Sequence, residues 1–354
     1  MTDSMTMTYH SNILTNLPTK LHSAAFPSPD ESPSSQDLII LVSTIAVMWA
    51  AIFSVLHRYL HPYAMRQQWL KDAMGREYDR VGLSMCKALR VKWTRQRYIE
   101  IMLNDWPKMQ GIYLQHFIGG ALCLPAVLGC TDAWAANLAC LGVLSEMGWE
   151  MSDMADIVIT RSTAIDGKER VPDTLVMIMS IHHSMTLTLG LPLVMKYRQL
   201  RTLHLLTFNL QWAAALAISA NEYCKTLDLK NQTQLWTFRI VNGICFGIMA
   251  WMRGIYWFYL CAQLHMRLLE DEEYTMMCVG IVIYVLITGF NVMLCIYPFG
   301  KKMLKFGPRS KKVELVALDE GEVVLDDEDA SKNEGGVRVS LSTNSLMEKG
   351  DTCN

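Results

Sequence analysis

Seven stretches of this chain are each apolar over close to the ~20 residues that a helix needs to cross the hydrocarbon of a bilayer, and nothing else in the sequence restricts the fold as strongly. They are 38–56 (LIILVSTIAVMWAAIFSVL), 111–130, 133–149, 174–195, 203–219, 235–262 and 276–299. Hydrocarbon offers no hydrogen bonds, so such a stretch must satisfy its own backbone polar groups, and a helix does so within one segment. The expectation is an all-α, polytopic membrane protein with about seven transmembrane helices. The third stretch is the least apolar, because Glu146 and Glu150 interrupt it; without it the count falls to six. The sixth carries Arg239 and Arg253, yet its length and aromatic end favour crossing. A composition of 51% hydrophobic and only 19% charged residues agrees with a chain solvated largely by lipid.

Loop charge sets the expected orientation. With seven spans and the N-terminus lumenal or extracellular, the loops facing the cytosol hold 22 Lys or Arg, against five on the other side. The most basic of them is 58–109, where GLSMCKALRVKWTRQRYIEIML places Leu83, Cys86, Leu89 and Trp93 at helical spacing. That pattern fits either a helix lying along the headgroups or a solvated connector helix. Residues 1–37, rich in Ser, Thr and Pro, are expected to be a disordered leader without a cleavable signal, which leaves the first span, 38–57, as the targeting signal. The cytosolic tail, 301–354, begins with the basic flank 301–312 (KKMLKFGPRSKK), which stops transfer or contacts anionic lipid; the acidic remainder has no period and reads as disordered.

Most of the ten cysteines fall in the predicted spans and none forms a CxxC pair, so they read as small packing residues. The sequon at Asn231 falls in a loop assigned to the cytosol and is expected to be unused. No nucleic-acid partner is expected; the partners implied are membrane lipids.

Polar residues at membrane depth are costly and therefore informative. In the third span Glu146, Glu150, Asp153 and Asp156 fall within about a third of a helix circumference at ~100° per residue, which makes one face acidic. In the sixth, Arg239, Asn242 and Arg253 lie within about 60° of one another by the same arithmetic, which makes that face basic. The fourth contributes His182 and His183, with Thr186 one turn from His182; the fifth contributes Asn209, Gln211, Asn221 and Glu222; the second contributes His116. Turned inward, these faces either border a common polar cavity or serve only as interhelical glue. Histidine is the side chain best suited to proton transfer near neutral pH, so the adjacent pair stands out.

Two rivals are set against that picture. A di-iron lipid oxidase needs about eight histidine ligands, whereas this chain has nine histidines in all, with His10 and His22 in the leader; no metal is expected. A seven-helix receptor stays open on topology, although the last span has no Lys for a retinal Schiff base and the charge at mid-depth is high for a receptor.

The order of these motifs resembles the TLC domain. HHSMT within a span, DMADIVIT ending the span before it, SANEY ending the span after it, then FRIVNG and WMRGIYW carry the likeness over about residues 110–300. The resemblance implies a TLC-like helical bundle around a lipid cavity, placed in the endoplasmic reticulum, with a role in lipid metabolism or lipid homeostasis. In the ceramide synthases of that family, the HH pair and a following Asp-rich stretch transfer an acyl chain from acyl-CoA to a sphingoid base. Here KYRQLRTLHLLTFNLQW follows HHSMT without the Asp pair. Two readings therefore stand beside the receptor. One is a lipid-handling protein with no bound cofactor, whose cavity is lined by Asp153, Asp156, Glu222, Arg239, Asn242 and Arg253. The other is an N-acyltransferase with His182 and His183 as catalytic residues and acyl-CoA as co-substrate.

Overall fold

The computed structural model describes residues 17–28 and 31–306, and among them the chain is helical, without a strand. The 307–354 tail, residues 1–16 and residues 29–30 lie outside the described residues, so the expectations for the acidic tail and for His10 are not addressed.

The elements follow in order. A short helix α1 (17–25) precedes α2 (Ser35–Arg66), α3 (Gln68–Glu77), a π-helical turn (Tyr78–Gly82) and α4 (Leu83–Leu89). Then come α5 (Arg95–Val127), α6 (Ala133–Thr163), the single turn α7 (Gly167–Arg170), α8 (Asp173–Lys196) and α9 (Arg201–Thr226). The last two rods each contain a π-helical turn: α10 (Gln232–Ala250) runs through Trp251–Ile255 into α11 (Tyr256–Glu270), and α12 (Tyr274–Phe290) runs through Asn291–Ile296 into α13 (Tyr297–Phe306). Local chemistry explains where helices begin. Ser34 Oγ accepts the Asp37 amide at 3.1 Å, Thr94 Oγ1 accepts the Arg97 amide at 3.2 Å, and Asn231 Oδ1 accepts the amides of Thr233 and Gln234 at 3.0 and 3.3 Å.

Each of the seven predicted stretches falls on a long helical rod. Five rods are long and apolar enough to cross a membrane: Ser35–Arg66, Asp173–Lys196, Arg201–Thr226, Gln232–Glu270 and Tyr274–Phe306. The other two, α5 and α6, are too polar to qualify by composition, and packing supplies the reason. α6 touches α2, α5, α8 and α9, and α5 touches α2, α6 and α9, so polar side chains such as Gln115, Glu150 and Asp153 are buried against protein. The main apolar core runs through Leu38 and Trp49 of α2, Leu144 and Met147 of α6, Val194 of α8 and Leu260 of α11. Where α5 meets α6, a Cβ on Gly142 would stand 2.7 Å from the Gly119 carbonyl oxygen, so glycine is what lets the two backbones approach.

Two stretches add detail to the sequence reading. The 58–109 stretch is mostly helical, and the amphipathic run within it breaks at Arg90, whose φ of 58° is left-handed and ends α4 before Thr94 starts α5. Its π turn is held down by the end of α9: Arg76 donates to the Thr226 carbonyl at 2.9 Å, and Arg80 donates to those of Cys224 and Lys225 at 3.0 and 2.9 Å. These are carbonyls that a helix C-terminus leaves open and that favour a cation. The leader, read from composition as disordered, is helical at 17–25. Buried Arg198 donates to the Ala25 carbonyl at 2.8 Å and to Asn137 Oδ1 at 2.7 Å, which fastens α1 against α6.

Candidate functional site

Halfway along α8, ten residues and so about 15 Å of helix rise from Asp173, the pair His182 and His183 meets the acidic face of α6. His183 is 1% exposed, Glu150 0% and Asp153 5%. His183 Nε2 lies 2.9 Å from Asp153 Oδ2. Asp153 is also paired with Lys108 of α5, whose Nζ stands 2.8 Å from its Oδ1, so it is ionised and can only accept. The proton between His183 and Asp153 therefore sits on Nε2. Lys108 further donates to Asp156 Oδ2 at 2.7 Å.

Nδ1 of His183 lies at ion-pair distance, 3.4 Å, from Glu150 Oε1, without hydrogen-bonding geometry. Neither carboxylate oxygen of Glu150 and neither Nδ1 of the histidine pair has a hydrogen-bond partner among the described residues. Trp149 packs edge-on against His183 at 5.3 Å between ring centroids and against His116 at 5.2 Å. One turn up α6, Gln115 donates to Glu146 at 2.8 Å, and His116 Nε2 stands 3.7 Å from the same carboxylate. His182, less buried than its neighbour, stacks flat on Phe290 of α12 with centroids 4.1 Å apart.

The basic face of α10 is buried as well, but it does not reach these acids. Arg253 lies in the π turn, which alters the α-helical register assumed from spacing. It donates to Asn291 Oδ1 at 2.9 Å, in the second π turn, and to the carbonyl of Leu210. Arg239 donates to the Phe306 carbonyl at 2.6 Å and lies over the Trp236 ring, while Asn242 donates to the Phe238 carbonyl at 2.8 Å. Glu222 pairs with Lys225 at 2.6 Å near the end of α9. Thus Asp153, Asp156, His182 and His183 come together, Arg253 approaches them from the α12 side, and Glu222, Arg239 and Asn242 lie elsewhere. Lys108, Trp149, Glu150, Phe290 and Asn291 join the cluster beyond the candidates chosen from sequence. Lys108 had a readable signal: with Gln115 and Gly119 it shares the α5 face turned to α6, at spacings of seven and four.

A recess of about 210 Å³ lies between Trp69, Met74, Trp106, Glu222 and Lys225, and another of about 180 Å³ between His61, Arg97, Asp166 and Arg170. His183 and Glu150 are closed in by Trp149 and the helix faces, with His182 as the side that opens. No protein family, curated protein or solved structure matches the chain.

Proposed function

We propose that this chain is a seven-span, lipid-handling membrane protein of the endoplasmic reticulum, in which the α5–α6–α8 polar cluster meets the polar part of a lipid. The observation that carries the reading is the Lys108–Asp153–His183 chain, its aspartate and histidine buried halfway along α8 and its lysine partly exposed, with partly exposed His182 beside it. Ionisable groups held at that depth are costly unless they have a use or a partner, and here some of them have no partner. The recess beside Glu222 has Trp69, Trp106 and Tyr223 on its walls, side chains suited to a headgroup boundary. Arg253 adds a polar side chain toward α12, Arg239 and Asn242 add others toward the end of α10, and the 301–312 flank meets anionic lipid on the cytosolic surface.

A second reading is favoured by the histidine pair, whose Nδ1 atoms have no hydrogen-bond partner among the described residues, with His183 held by Asp153 as a carboxylate-oriented general base is. In that case acyl-CoA is the co-substrate. An amine of a long-chain base attacks the thioester carbonyl, a histidine takes the amine proton, the C–S bond breaks and the CoA thiol leaves.

The test supplies labelled acyl-CoA with long-chain bases and lysolipids to membranes holding wild type, His182→Ala or His183→Ala, and identifies lipids that copurify with each protein. A product lost in both variants establishes the acyltransferase. Copurified lipid that falls several-fold in the variants, without product, establishes lipid handling alone. Neither product nor lipid from folded wild type overturns both readings.

A further inference from the structure

The unpartnered atoms around His183 converge, and we infer that Glu150, His182 and His183 form a mononuclear site for a divalent cation of the zinc class. This goes beyond lipid handling and does not depend on it. One ligand atom from each of the three residues lies within 4.8 Å of the other two. A tetrahedral ion with bonds of about 2.0–2.1 Å holds its ligands about 3.3–3.4 Å apart. The His183 Nδ1 to Glu150 Oε1 separation of 3.4 Å already has that spacing. His182, the least confined of the three, closes the remaining gap by a shift of roughly 1 Å, which a side-chain rotation provides.

Three further observations point the same way. His183 donates its other ring proton to Asp153, and Lys108 anchors Asp153 in turn. Metal-bound histidines are oriented and made more basic by this arrangement, because it fixes the tautomer with the lone pair toward the ion. Second, α6 brings Glu146, Glu150, Asp153 and Asp156 along one face, and the ammonium of Lys108 pairs with only two of them, Asp153 and Asp156. The other buried cation nearby, Arg253, is committed to Asn291 and Leu210. A dication offsets the excess of carboxylate where water cannot. Third, Glu150 is fully buried and neither of its oxygens accepts a hydrogen bond among the described residues, with Oε1 3.4 Å from His183 Nδ1, an arrangement that a cation between them would satisfy. A histidine pair with one carboxylate leaves a fourth tetrahedral position open, toward the exposed side of His182. The nine-histidine count that argues against a di-iron centre does not bear on a site needing two.

The experiment uses the full chain in detergent, purified on a tag without histidine and with no lipid added. Metal is measured in the protein as isolated, then after chelation and titration with Zn²⁺ alone, and Co²⁺ is substituted for its visible absorption. We expect one equivalent per chain, a tetrahedral Co²⁺ spectrum, and X-ray absorption showing two imidazoles in wild type. Glu150→Gln and His183→Ala should lose at least ~10-fold in affinity, and Asp153→Asn ~10–100-fold while all three ligands remain. Folded wild type that takes up no Zn²⁺ overturns the site, as does uptake without imidazole scattering. That result leaves Glu150 as a neutral carboxyl sharing its proton with His183. Lipid binding is read separately, so a failure of one proposal does not mimic a failure of the other.

Discussion

At the scale of single residues, burial decides which charges matter. Asp153 and Asp156 are three positions apart on one helix and both meet Lys108, yet Asp153 is sealed between α6 and α8 while Asp156 is exposed. Outside the helices' central stretches, Asp166 accepts from Arg97, which holds its carboxyl below the usual carboxylate range. Its folded value is lowered, so its stabilising contribution is present above the ordinary aspartate range and disappears as pH falls through the depressed value. The group is exposed, so screening limits the effect to about 0.5 kcal/mol or less. Acid unfolding curves of wild type and Asp166→Asn should therefore coincide at low pH and separate slightly above about pH 4. A separation that grows as pH falls contradicts the assignment. The sequence showed Asp166 and Arg97 only as charges 69 positions apart, with nothing to pair them.

At the scale of elements, the informative feature is the contact between α5 and α6. Because a Cβ on Gly142 would fall 2.7 Å from the Gly119 carbonyl, Gly142→Val should force these helices apart and lower the detergent melting temperature. Overpacking of this kind costs about 1–3 kcal/mol. Gly247, whose added Cβ would meet nothing within 4 Å, is the matched control: Gly247→Ala should leave the melting temperature unchanged or raised. Equal losses at both positions would refute close approach as the reason for Gly142. Helix existence was legible from apolar length, since each predicted stretch lies on a rod. Helix ends were less so: Arg90 breaks the amphipathic run because its backbone turns left-handed, and α1 forms on a Ser- and Pro-rich leader because Arg198 docks it. Neither cause is local to the segment it shapes.

At the scale of the whole molecule, the topology turns on α5 and α6, which the proposed seven-span arrangement places across the bilayer beside the five apolar rods found among the described residues. If both cross and the N-terminus lies outside, the turn between them is on the lumenal side. Cys130 in that turn is a partly exposed free thiol and reports on it directly. In sealed, cytosol-outward microsomes an impermeant maleimide should spare Cys130 and label it only after permeabilisation. Labelling in sealed vesicles would remove the α5–α6 pair from the span count or invert the topology.

What the sequence determined by itself follows from short-range physics. Apolar length fixes where helices form, because unsatisfied backbone is intolerable in lipid, and residue spacing fixes which side chains share a face. It therefore singled out His182, His183 and the acidic face of α6 as neighbours worth seeking. Only the tertiary structure decided which faces meet. It brought Lys108 rather than an arginine to the acids, placed Arg253 against Asn291 through two π turns, and left Glu150 and the free histidine nitrogens converging without partners. Those outcomes depend on the rotation and depth of one helix against another, which arise from side-chain packing between segments far apart in the chain, and no single helix's periodicity encodes them.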